Sequence, residues 1–320
     1  AAAGLSATGT GAALVSSETT HQRLDEAVAL AYELLHQSRM YPGLHWCVGV
    51  FRTATGFETV ITTNDGAGYI PPNVFVPRSA RVLFADPLLD ASFQRTWFGW
   101  VNPAATMVAY AADRAVLDPN VELFAVAATT DPGGSSVLPA RRAQVPHYQD
   151  CDSTQSPFGP TDPTPELDDT RAHRLAVIDP TEYARTQQAD PQLPAQAWQA
   201  TTHAVATALT RAERLHAEVP AVVREIADAL AKHTAIADER WEALNNALYN
   251  GKSLYLRPGF IDVEPSTDPS ATALYRAHHN IDRAMEALSL WRGDSPAFAD
   301  VVYAARQVQK EEELWQTAAT

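Results

Sequence analysis

The stretch from Asp131 to about Pro194 constrains this chain most. "DPGGSSVLPARRAQVPHYQD" and "SPFGPTDPTPELDD" are dense in proline and small polar residues, a composition that reads as linker. The periodicity differs on its two sides. Before it, runs of strand character alternate with helical ones; after it, the chain is alanine-rich and helical throughout. The expected fold class is therefore α+β/α with two domains: a small N-terminal α/β domain with a mixed sheet, and a C-terminal α-helical bundle. The expected boundaries are a linker at 1–17, the α/β domain at 18–130, a Pro-rich linker with short docked elements at 131–194, and the bundle at 195–320.

In the first part, Leu24, Val28, Ala31 and Leu35 recur at helical spacing between about Glu18 and Met40, ahead of Pro42 and Gly43. "HWCVGVF" and "FETVITT" then predict two strands joined by a short glycine-containing turn, the first central and the second nearer an edge. "ARVLFAD" predicts a third strand. Asn102 and Pro103 supply a cap and an N1 proline for a helix that Asp118-Pro119 stops near Leu117, and "VELFAVAAT", residues 121–129, predicts a fourth strand. "HRLAVIDPTEYARTQQ" predicts a short strand and helix docked on one of the domains.

In the second part, Trp198, Thr202, Val205, Leu209 and Ala212 form one apolar stripe, and Val222, Val223, Ile226 and Leu230 a second. Leu244 and Leu248 mark a third helix, Leu274, His278, Ile281, Met285 and Leu288 a fourth, and Phe298 to Val308 a fifth.

The formal charge of −14, from 38 acidic and 24 basic residues, repels phosphate backbones and anionic lipid, so nucleic acid is not an expected partner. No run reaches the roughly 18 apolar residues of a membrane span. "AAAGLSATGTGAAL" has no basic n-region and reads as a trimmed start or linker. Cys47 and Cys151 lack the spacing of a metal or redox pair, and a bond between them would require the loop bearing Cys151 to fold back.

Catalytic signatures are sought and not found. A zinc deaminase needs His-x-Glu with Pro-Cys-x-x-Cys, whereas His216-Ala217-Glu218 stands in a helical segment with no cysteine after it. "YNGKS" mimics the end of a P-loop, but position 246 is Asn and a helix precedes it, so Gly251 reads as a helix C-cap. Neighbouring His278 and His279 point to different helix faces, and no metal or cofactor is expected.

The loop "NDGAGYIPP" offers two readings. Asn64, Asp65, Gly66 and Gly68 suit a tight strand-to-strand turn with a rigid proline exit, the preferred reading. The alternative is an enzyme, a hydrolase or nucleotide-modifying activity, with its site at the 64–72 loop of a deaminase-like domain and Asp65 as its carboxylate. Phe93, Trp97, Phe98 and Trp100 read first as core, with Trp97 and Trp100 as candidate partner anchors. Trp291-Arg292-Gly293 falls at the turn between two helices. Such a Trp-x-Gly tip is similar to that of small type VII secreted proteins, although the accompanying Tyr-x-x-x-Asp/Glu is absent, Tyr303 being followed by Gln307.

Taken together, "HWCVGVFRTATGFETVITTNDGAGYIPPNVFVPRSARVLFADP", the Pro-rich linker and "LYNGKSLYLRPGF" in an alanine-rich bundle resemble the C-terminal region of mycobacterial ESX (type VII) secretion-associated proteins of the EspK kind. The resemblance covers nearly everything after residue 18 and carries over no catalytic residue. It implies a non-enzymatic protein that binds a secreted type VII substrate, EspB-like, as chaperone or targeting factor, with secretion ATPase components as further partners. It also implies a longer Pro/Ala-rich N-terminal part, and a place in the bacterial cytoplasm, with the cell envelope or the exterior as alternatives. In that reading Trp291, His278 and Tyr275 are rim residues of a groove that accepts a partner's helix.

Overall fold

The computed structural model describes residues 9–188, 190–250, 257–259, 269–292 and 297–316. Helix α1 spans Gly9–Gln37 and so starts ahead of the expected Glu18. β1 (Trp46–Thr53) and β2 (Gly56–Thr63) pair as an antiparallel hairpin with Thr53 opposite Gly56. Six consecutive residues of β1 are buried, as a strand packed on both faces requires. β3 (Val76–Pro77) and β4 (Ala80–Val82) are short. The expected strand "ARVLFAD" is cut at Val82 because residues 83–85 wind into a 3-10 turn that buries Leu83 and Phe84.

α2 (Ala91–Thr96) and α3 (Pro103–Leu117) follow. α3 begins as expected: the Asn102 side chain accepts from the N–H groups of Ala104 and Ala105, and Pro103 opens the first turn. β5 (Glu122–Thr130) pairs antiparallel with β1.

Residues 131–194 contain more structure than their composition suggested. α4 (Leu138–Arg142) leads into β6 (His147–Asp152), which pairs parallel with β5 as a fifth strand. The strand escapes a sequence reading because it is an edge, with Cys151 its one fully buried side chain. β7 (Arg171–Ala172) pairs with β3. α5 (Arg174–Ile178) and α6 (Pro180–Thr186) come next, parted by Asp179, whose carboxylate caps the second of them.

The sheet order is β4-β2-β1-β5-β6, mixed in direction, with β1 at its centre. α1 packs against β1, β5 and β6 on one face; α3 packs against β1 and β5 on the other. Cys47 and Cys151 lie on either side of β5, opposite Ala128 and Thr129, and belong to the two different cores. Two strand spacings, about 9.5 Å, exceed disulfide reach, and both thiols are free.

The C-terminal helical region comprises α7 (Leu193–Leu215), α8 (Ala221–Ala231), α9 (Asp238–Asn250), α10 (Pro269–Trp291) and α11 (Phe298–Gln316). α7, α10 and α11 pack on one another. Val205, Ile226, Leu244, Ile281, Met285 and Leu288 form a core that α7 and α10 share with α8 and α9, while Ala204 of α7 meets Ala305 and Val308 of α11 in a separate small cluster. Leu274 departs from the expected stripe, being 43% exposed. Val301 and Tyr303 of α11 join the α1-side core, while Tyr275 and Leu314 join the α3-side core. The helical region is thus seated in both cores of the sheet. Among the described residues no helix is long and apolar enough to cross a membrane.

Candidate functional site

The loop after β2 meets the helical region. Asn64 fixes its start: its Oδ1 accepts from the His45 N–H at 2.9 Å, and its Nδ2 donates to the Gly43 and Val101 carbonyls at 3.0 and 3.3 Å. A helical turn follows, closed by Tyr69 N–H on the Asp65 carbonyl at 2.8 Å. Positive φ falls on Gly66 and Gly68.

Four side chains of α10 face this loop. Tyr275, His279, Arg283 and Glu286 stand four, four and three residues apart, one face of a helix. The Tyr275 hydroxyl donates to Asp65 Oδ1 at 2.5 Å and accepts the Gly66 N–H at 2.9 Å. His279 Nδ1 lies 3.2 Å from the same oxygen. Arg257 Nη1 lies 3.4 Å from it and donates to the Asn64 carbonyl. Burial alone would raise the Asp65 pKa, but Arg257, His279 and Arg283 together hold it well below the usual carboxylate range. The Tyr275 hydroxyl moves the other way, raised by burial and by the charge of Asp65.

A second layer extends the junction. Glu286, 1% exposed, accepts from Tyr69 Oη at 2.6 Å and from Arg174 Nη1 at 2.7 Å. Arg174 also donates to the Ile70 carbonyl and, through Nε, to Asp300 at 2.6 Å. The Ile70 N–H donates to Tyr303 Oη at 2.8 Å. Arg283 is wholly buried over the Tyr69 ring, its guanidinium carbon 3.4 Å from the centroid. Its Nη1 stands 3.5 and 3.8 Å from Glu286 and Asp65, beyond hydrogen bonds.

Glycine makes the approach possible. A Cβ on Gly66 would sit 2.3 Å from the His279 ring, and one on Gly99 only 1.9 Å from Tyr275. The two glycines are themselves joined, Gly99 N–H to the Gly66 carbonyl at 2.7 Å. Beside them a cavity of about 20 Å³ is bounded by Asp65, Arg257, Tyr275, His279 and Asp282, room for a single water.

The loop is therefore neither a plain turn nor an open nest. Its carboxylate and two of its N–H groups are taken by side chains from the helical region.

The aromatic and histidine candidates fall in different places. Tyr275 and His278, expected at a groove rim, are 4% and 6% exposed; Tyr275 is covered because its α10 face is docked on the loop after β2, whereas His278 is buried on a different face. Trp100 is buried in the position where Gly259 abuts its indole, and Trp97 is half-buried against it, with ring centres 5.3 Å apart. Trp291 is half-buried and touches Trp198 and Phe298, with ring centres 5.1 and 6.0 Å apart. Gly251 and Gly293 lie outside the described residues, as does most of "LYNGKSLYLRPGF". Among the described residues no cluster of His, Cys, Asp and Glu could hold a metal.

Sequence reading missed Arg174, Arg257, His279, Arg283, Glu286, Asp300 and Tyr303. A signal for the three missed residues of α10 existed: with Tyr275, His279, Arg283 and Glu286 draw a polar stripe along α10 beside the apolar one.

A mixed sheet whose loop is clasped by a C-terminal set of helices defines an α/β protein with a built-in helical partner. A family model described as the EspK C-terminal domain matches residues 36–308. The chain belongs to that family, and membership associates it with ESX (type VII) secretion. Among solved structures, a fragment of the conserved hypothetical protein Rv3899c of Mycobacterium tuberculosis is similar at 18% identity and a TM-score of 0.37, covering 92% of this chain and 97% of that one. A search of curated proteins finds no match.

Proposed function

We propose that this chain is a non-enzymatic binding module of ESX secretion that holds a secreted type VII substrate, as chaperone or targeting factor. Membership in the EspK C-terminal family is the observation that carries this reading. The acidic surface favours partners with basic patches, and the half-buried Trp198, Trp291 and Phe298 group offers an aromatic anchor. Secretion ATPase components are further partners under the same reading.

The geometry around Asp65 also supports it over the enzymatic alternative. A general base must reach a substrate proton, whereas Asp65 Oδ1 faces Tyr275, His279 and Arg257. The adjoining cavity of about 20 Å³ is far below the roughly 300 Å³ at which small-molecule sites begin.

The test is titration calorimetry of the full chain with an EspB-like type VII substrate. Binding at micromolar affinity or tighter is expected, weakened about tenfold or more by Trp291→Ala, the usual effect of losing an aromatic anchor. No binding by the folded chain, together with a hydrolytic turnover abolished in Asp65→Asn, overturns the proposal in favour of the enzyme. Unchanged affinity in a folded Trp291→Ala protein removes that tip from the binding surface.

A further inference from the structure

The lysines of this chain are Lys232, Lys252 and Lys310; arginine supplies the remaining positive side chains. Lys310, on α11, sits unlike an ordinary surface lysine. Its Nζ donates to the Phe84 carbonyl at 3.0 Å, so the four-carbon stem runs against the 3-10 turn at 83–85. The residue lines a surface cavity of about 530 Å³ whose other walls include Pro87, Gln94, Ile178, Asp179 and Glu313. The amine is thus held in place at the wall of an accessible pocket, tying α11 to the sheet domain.

We propose that Lys310 is an acylation site, its amine taking an activated acyl group from a thioester or an acyl phosphate that enters this cavity. The amine lone pair attacks the acyl carbon and a C–N bond forms. The C–S or C–O bond to the leaving group breaks, its electron pair departs with the thiolate or phosphate, and the amine proton passes to water. The product is a neutral amide in place of an ammonium, with the acyl group lodged beside the tie between α11 and Phe84.

Electrostatics favours the reaction. Burial strips water from the ammonium and pulls its pKa down to about 8, against an opposing pull from Glu313. An amine at that value is about one-fifth free base near pH 7.4, against about a thousandth for an ordinary lysine. Nucleophilicity falls along with basicity, which returns part of the gain and leaves an advantage of roughly tenfold.

The experiment incubates the full folded chain at pH 7.4 with acetyl-CoA, and separately with acetyl phosphate, and follows site occupancy by peptide mass spectrometry. Lys232, exposed at the end of α8, is the internal reference, and Lys310→Arg confirms the peptide assignment. Lys310 is expected to acetylate about tenfold faster than Lys232, with that preference lost in urea. A preference with one donor alone identifies the donor class. Lys310 reacting no faster than Lys232 with both donors, or a preference that survives in urea, overturns the proposal.

Discussion

Tyr275 and Asp65 stand 210 residues apart in sequence and 2.5 Å apart in space, phenol to carboxylate. The same hydroxyl accepts the Gly66 N–H, so a single side chain of α10 satisfies both the charge and the backbone of the loop. Removing it leaves a buried N–H unpaired and a carboxylate short of one donor. Tyr275→Phe is therefore expected to cost about 2–3 kcal/mol, read from the urea midpoint with the slope unchanged.

Asp65 has a larger stake. Arg257, Arg283 and His279 all face it, and neutralising one member of a buried charge group strands the others. Asp65→Ala is expected to lose about 3–5 kcal/mol, with Asp65→Asn losing less because the amide keeps one acceptor. A loss under 1 kcal/mol for Asp65→Ala in equilibrium denaturation would show that the junction is not a stabilising contact.

Acid should open the same junction. Asp65 and Asp300 both have pKa values held below the ordinary 3.8 despite the opposing effect of burial, Asp65 chiefly by Arg257 and Asp300 chiefly by Arg174. A depressed carboxylate contributes stability that is complete above its unfolded pKa and is lost as pH falls through its folded one. Stability from these two groups should therefore hold from pH 7 to 5 and fall below about pH 4. Denaturation series at stepped pH check this, and Asp65→Asn should flatten the acid limb.

Gly99 tests the steric side. Its φ is +65°, and an added Cβ would overlap the Tyr275 ring at 1.9 Å. Gly99→Ala carries left-handed strain of about 1–2 kcal/mol plus the clash. In a Tyr275→Ala background only the strain remains, so the double-mutant cycle should give a coupling of at least about 1 kcal/mol. Additivity within error would mean that the glycine serves the backbone alone.

Within the helical region, Glu311 is fully buried and receives Arg211, Arg276 and, at 2.8 Å, Asn280 Nδ2. Glu311→Ala should cost about 3–5 kcal/mol by stranding two guanidinium groups. Thermal and urea unfolding read the effect directly, and recovery in a triple variant with Arg211→Met and Arg276→Leu would assign it to the charges.

Much of the fold was legible in the sequence because local forces write it there. The cap and N1 proline of α3, the β1–β2 hairpin, the stripes of α7 and α8, and the centrality of β1 all follow from periodicity and turn chemistry acting over a few residues. β6 was hidden because an edge strand with one buried side chain carries no alternation. The site was hidden for a different reason. "NDGAGYIPP" shows that residues 64–72 form a turn, but nothing near Asp65 in sequence says that Tyr275, His279 and Arg257 will surround it. Local propensity determined the helices and strands; only the docking of α10 and α11 on the sheet decided that the loop carboxylate is spent inside the protein, because a charge leaving water must find its partners wherever the chain brings them.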